Sequence, residues 1–202
     1  MHSEFLTYFR LGTGHIADLR GYDHILFIVA LTAGYALPDW RRLLWLVTAF
    51  TIGHSVTLAL ATLGLVAVHG PTIELLIPVT IVATAGYSLF ARWRPGASSD
   101  DSRPERHRLL YILAGCFGLI HGLGFSNFLR AILGGEESIL LPLFAFNVGL
   151  EVGQLAIVAV VLLAGTLACD VAGLARRRWA TALSIVIVLA GLQMIVARLP
   201  AG

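Results

Sequence analysis

The 202-residue sequence has no lysine, only two cysteines, and charge on just 13% of its residues. An ordinary soluble domain carries charge on about a quarter of its residues. Hydrophobic residues make up 57% of the chain and the mean hydropathy is +0.83. So few charges cannot cover so much apolar surface in water, which excludes a soluble, disordered or nucleic-acid-binding chain. Cys116 and Cys169 are too few for a disulfide framework, and Cys116, in an apolar stretch, reads as a small packing residue. All fourteen basic residues are arginines and the net charge is only +2, so the positions of the arginines carry more information than their number.

What is present in quantity is long apolar runs. Six stretches approach or exceed the roughly 20 helical residues needed to cross a bilayer: 21–37, 43–68, 72–90, 109–133, 139–168 and 179–196. They predict an all-α, polytopic integral membrane helix bundle forming one transmembrane domain over residues 1–202. Pro38 and Asp39 end the first run, Gly70-Pro71 turns the chain after the second, and Gly134-Gly135 opens the loop after the fourth. Residues 94–108 are the one polar segment containing Pro, Gly and Ser, and read as a solvated cytoplasmic loop dividing the helices three and three.

The arginines set the expected orientation, because cytoplasmic loops retain positive charge. Arg41, Arg42, Arg92, Arg94, Arg103, Arg106, Arg108 and Arg176 to Arg178 fall on one side, and Arg10, Arg20, Arg130 and Arg198 on the other. Both termini are thus expected outside the cytoplasm, in the cytoplasmic (inner) membrane of a bacterium. Phe5, Tyr8 and Phe9 have helical spacing between Ser3, a candidate N-cap, and Gly12, a candidate stop, which predicts a short interfacial helix. Two halves of three helices would be inverted relative to each other, although their residue-level similarity is too weak to establish a repeat.

Ionisable groups at bilayer depth are costly and mark functional sites by default. Asp23, His24, His54, Glu74, His121 and Glu151 fall in or at the ends of the apolar runs. Imidazole and carboxylate together form the usual mixed donor set for divalent zinc, nickel, cobalt or iron. His24, His54, His121, Asp23 and Glu151 are therefore the leading candidate ligands, with His15 and Glu74 at the margin. Asp18 can share a helical face with His15 at i+3. Thr51 and Ser55 flank His54, while Asn147, Glu151 and Gln154 form a polar stripe at i, i+4 and i+7, so Thr51, Ser55, Asn147 and Gln154 are expected to support the ligands. Glycines around His121 allow another helix close to it. His69 and His107 are expected in solvated loops. Taken singly, a buried histidine or amide can serve only as interhelical glue; five such placements in one small bundle point to a shared site.

The stretches 21–27, 48–60, 73–78, 117–125 and 146–154, which carry Asp23-His24, His54, Glu74, His121 and Asn147-Glu151-Gln154, resemble the HupE/UreJ family of bacterial membrane proteins. The resemblance implies a secondary permease for nickel or cobalt. It also matches Asp23-His24 to the family's Asp-His motif, with His15 as the upstream histidine, here separated from Asp23 by seven residues. No ATP-binding motif is evident, so transport would draw on a gradient. A membrane-embedded metalloenzyme using the same ligands, with Glu151 or Asp23 as general base, is the alternative. A haem-binding electron carrier and a structural membrane subunit are lesser ones. The partners expected are the metal ion and the lipid bilayer, with no nucleic acid.

Overall fold

The computed structural model describes residues 2–66, 68–93, 104–133 and 138–199. The described residues form seven α-helices and no strand: α1 (His2–Ile16), α2 (Asp23–Thr32), α3 (Trp40–Thr62), α4 (Gly70–Trp93), α5 (Pro104–Leu133), α6 (Leu140–Thr166) and α7 (Arg176–Arg198). In a bilayer core no water satisfies backbone N–H and C=O groups, and a helix satisfies them within one segment. Five helical segments, containing α3 to α7, are long and apolar enough to cross a membrane. At most half of each apolar window is buried inside the bundle, so the remaining apolar surface is left for lipid. The chain is a multi-pass membrane protein.

Several boundaries differ from those read in the sequence. The first apolar run, 21–37, contains only the ten-residue α2, about 15 Å long and too short to cross alone. Gly34 weakens the helix beyond it and Pro38 sits in a 3-10 turn, Leu37–Asp39, where the Asp39 carboxylate accepts the Ala36 N–H at 3.1 Å. The second run ends at Thr62 rather than 68. There Gly64 adopts φ +74°, its N–H bonds the Ala61 carbonyl, and the Leu65 N–H bonds that of Leu60, a Schellman termination. α5 begins at Pro104, so the expected 94–108 loop is helical from that proline onward, and His107 belongs to a helix. Residues 94–103 and the Gly134-Gly135 turn lie outside the described residues.

The N-terminal helix does not stop at Gly12 but continues to Ile16. A side chain at Gly12 would strike the Phe146 carbonyl of α6, and one at Gly149 would strike the Phe9 carbonyl of α1, so the glycines serve close approach. α1 runs in the same direction as the first half of α6, with Phe5 beside Phe144 at 6.5 Å and Thr13 Oγ1 donating to the Gly149 carbonyl at 3.1 Å. Tyr8 and Ile16 are buried in this contact. α1, expected as an interfacial helix, packs on α6, and α2, the helix of the first apolar run, packs against α4, α6 and α7.

α3 and α5 form the closest pair and run parallel, because Gly118 and Gly122 leave room only for the α3 backbone at Phe50 and His54. Thr57 Oγ1 donates to the Leu119 carbonyl at 2.8 Å across the same contact. α4 packs against α7. Arg41, Arg42 and Arg176 to Arg178 collect at the end of the bundle where α3 and α7 begin. There Arg176 ties Tyr35 O at 3.2 Å to Asp170 at 2.9 Å. Arg198 lies at the opposite end, as does Arg130, which donates to the Ala61 carbonyl.

Candidate metal centre

α1, α2 and α3 each deliver one histidine to the interior. His24 is in the first turn of α2, His54 is near the middle of α3, and His15 is brought in by the α1–α6 contact. One ring nitrogen from each lies within 4.8 Å of those from the other two. Metal–nitrogen bonds of about 2.0–2.1 Å place two nitrogens of a tetrahedral site about 3.3 Å apart, so small ring rotations suffice to close the group on an ion. His121, from α5, packs its ring 4.9 Å from that of His24 but is not one of the three.

The hydrogen bonds determine which nitrogens are available. His24 Nδ1 lies 2.9 Å from Asp23 Oδ1, which also accepts the His24 backbone N–H at 2.8 Å. With Nδ1–H donating to the carboxylate, the Nε2 lone pair is free, the orienting arrangement found behind metal-bound histidines. Thr80 Oγ1 donates to the Ile77 carbonyl at 2.7 Å and so accepts from His121 Nε2 at 3.1 Å, leaving the lone pair on Nδ1. Among the described residues, the buried imidazole nitrogens without a partner are His15 Nε2, His24 Nε2, both nitrogens of His54, and His121 Nδ1. Buried polar atoms are nearly always satisfied, so this concentration requires an explanation.

The described residues around them offer none. Phe125 lies 3.9 Å from the His15 ring and stacks on Phe146 at 5.2 Å; Phe50 and Phe27 each lie 5.2 Å from His121. This aromatic wall provides no acceptor or donor, and it holds the imidazoles in a low-dielectric setting. A borderline cation satisfies several lone pairs at once, whereas an all-nitrogen set suits magnesium or calcium poorly.

The other sequence candidates are distributed differently. Asp23 supports His24 and lines a cavity of about 240 Å³ shared with Arg20, Tyr22, Gln193, Met194 and Arg198. Glu74 is exposed near the start of α4. Half-buried Glu151 accepts the Thr48 hydroxyl at 2.6 Å, and Gln154 Oε1 accepts that of Thr51 at 2.7 Å. Ser55 and Asn147 bond carbonyls of their own helices, those of Thr51 and Leu143. Asp18 accepts the Arg20 backbone N–H in the 17–22 connection. His69 is exposed beside Thr72, as expected. Sequence reasoning gave no role to Thr80, Thr48 or Phe125. Thr48 lies on the helical repeat Thr48, Thr51, His54 and was detectable; Thr80 and Phe125 carry no local signal.

The fold and this cluster define a multi-pass helical membrane protein with a buried polyhistidine centre. The chain belongs to the HupE/UreJ family: the family profile described as HupE / UreJ protein matches residues 1–198. No curated protein and no solved structure matches the chain.

Proposed function

We propose that the protein is a secondary permease for a divalent transition-metal ion of the nickel or cobalt type, held in transit by His15, His24 and His54. The observation that carries this reading is the convergence of three histidines from three helices, each with a buried nitrogen that no group among the described residues satisfies. Asp23 orients His24 and adds negative charge behind it, and His121 stands ready as a further donor beside the His24 ring. Membership of the HupE/UreJ family supports the same reading.

In this reading the protein lies in a bacterial cytoplasmic membrane with its arginine-rich end toward the cytoplasm. The cavity reaching Asp23 opens toward the Arg198 end and supplies access from outside. The ion sheds water as neutral imidazoles replace it, and net transport requires a helix displacement that weakens at least one of those bonds. The joint between α1 and α2 is suited to this, because it moves His15 relative to His24 without unpacking a long helix.

The test is elemental analysis of protein purified without a metal-affinity resin, after incubation with nickel, cobalt, zinc or ferrous iron, followed by uptake into proteoliposomes. Saturable uptake of one ion, lost in His54→Ala, supports a permease. A stoichiometric ion that neither exchanges nor crosses the membrane would instead fit a membrane-embedded metalloenzyme. No binding of any of these ions would overturn both readings.

A further inference from the structure

The polar stripe of α6 is not part of the histidine cluster, yet it is not scattered. Thr48 and Thr51 lie six and three residues before His54 on α3, each hydrogen-bonded across to α6, at Glu151 and Gln154. At about 1.5 Å per residue, Thr51 and Thr48 lie roughly 4.5 and 9 Å along α3 from His54, toward the arginine-rich end. On α6 the Phe146 ring stacks 6.4 Å from that of His54, and Glu151 is a turn and a half further toward the same end. The two cross-links cross, Thr51 reaching past Glu151 to Gln154, and together form a polar seam between α3 and α6. It leads away from the histidines on the side opposite the cavity at Asp23.

Among the described residues no arginine pairs with the Glu151 carboxylate. A carboxylate in an apolar helix without a cation is costly, and a threonine hydroxyl compensates only part of that cost. Two further buried amide atoms nearby on α6, Asn147 Oδ1 and Gln154 Nε2, have no hydrogen-bond partner among the described residues. The seam thus has unused polar capacity along its length.

We infer that Glu151 is a second, carboxylate-bearing binding station for the same divalent cation, reached from the histidine cluster along the α3–α6 seam. The inference rests on the permease reading and names the route on which the ion leaves. Neutral imidazoles bind the ion without neutralising it; a carboxylate farther along provides an electrostatic step toward the arginine-rich end. Oxygen donors hold a borderline cation less tightly than imidazole, which favours release over retention. Thr48 and Thr51 tie α3 to α6 beside the station.

The experiment compares the wild type with Glu151→Gln and Thr48→Val, measuring nickel or cobalt binding in detergent and uptake in proteoliposomes. Glu151→Gln keeps an oxygen to accept the Thr48 hydroxyl and removes only the charge, whereas Thr48→Val removes the interhelical bond and keeps the charge. The expected result is that Glu151→Gln binds the ion with wild-type stoichiometry at the histidines but transports at background rate, while Thr48→Val retains most uptake. Uptake by Glu151→Gln at the wild-type rate overturns the station and leaves the permease reading intact. Loss of uptake in Thr48→Val with normal uptake in Glu151→Gln also overturns it, since the seam is then only a structural tie. Should Glu151→Gln fail to fold, Glu151→Asp serves in its place, with slowed but measurable uptake expected and an unchanged rate overturning the proposal. A wild type that neither binds nor transports the ions defeats the permease reading itself, and this inference with it.

Discussion

The Asp23-His24 pair divides its work between adjacent residues: the carboxylate takes Nδ1 of His24 at 2.9 Å and leaves Nε2 for an ion. Asp23→Asn keeps the shape but presents a weaker, neutral partner to the imidazole. Loss of such an orienting group costs about 10–100-fold in metal affinity. That drop is expected for Asp23→Asn in competition titration with a metallochromic chelator. His54→Ala removes a proposed ligand, a residue whose two nitrogens have no partner among the described residues, and should eliminate stoichiometric binding. His121→Ala should weaken binding less, because its ring lies beside the three-nitrogen group and not within it. An equal or larger loss in His121→Ala would place the ion between His24 and His121 instead.

Between elements, the decisive contact is that of α1 with α6, because it carries His15 into the interior. Gly149→Leu drives a side chain into the Phe9 carbonyl and forces the helices apart. Overpacking of this kind costs about 1–3 kcal/mol. The expected outcome is a lower melting temperature in detergent together with weaker metal binding, as His15 leaves the group. Gly64→Ala serves as the contrast. It strains a residue at φ +74°, at a cost of about 1–2 kcal/mol, in a helix end remote from the histidines. Its melting temperature should fall while its metal affinity stays at the wild-type value; a parallel loss of affinity would show that the α3 terminus is coupled to the site.

For the whole molecule, the proposed orientation rests on the segregation of arginine between the two ends of the bundle. In a variant lacking Cys116 and Cys169, a cysteine introduced as Arg198→Cys should react with a membrane-impermeant maleimide in intact cells. One introduced as Arg177→Cys should react only after permeabilisation. The opposite pattern would reverse the direction of transport through the site. Arg198 also lines the cavity that reaches Asp23, where its positive charge opposes an approaching cation. Arg198→Ala should therefore raise the initial uptake rate at low ionic strength, and the gain should shrink as salt screens the charge.

The membrane class, the helical fold and the positions of the later spans were legible in the sequence, because a bilayer imposes a length and an apolar composition that any chain must display locally. The histidines and carboxylates stood out for the same reason, as costly groups in apolar runs. The glycine that ends α3 at Gly64 was missed, since hydropathy continues across it and only the backbone dihedral reveals the cap. Tertiary structure alone decided which polar groups meet. His15, close to His24 in sequence but marginal as a candidate, joins His24 and His54 because glycines let α1 lie against α6. Glu151, a leading candidate in the sequence, is drawn to Thr48 instead. Composition records the cost of placing a charge in a membrane, but the partner that offsets that cost is determined by how the helices cross, and this depends on contacts between residues more than a hundred positions apart.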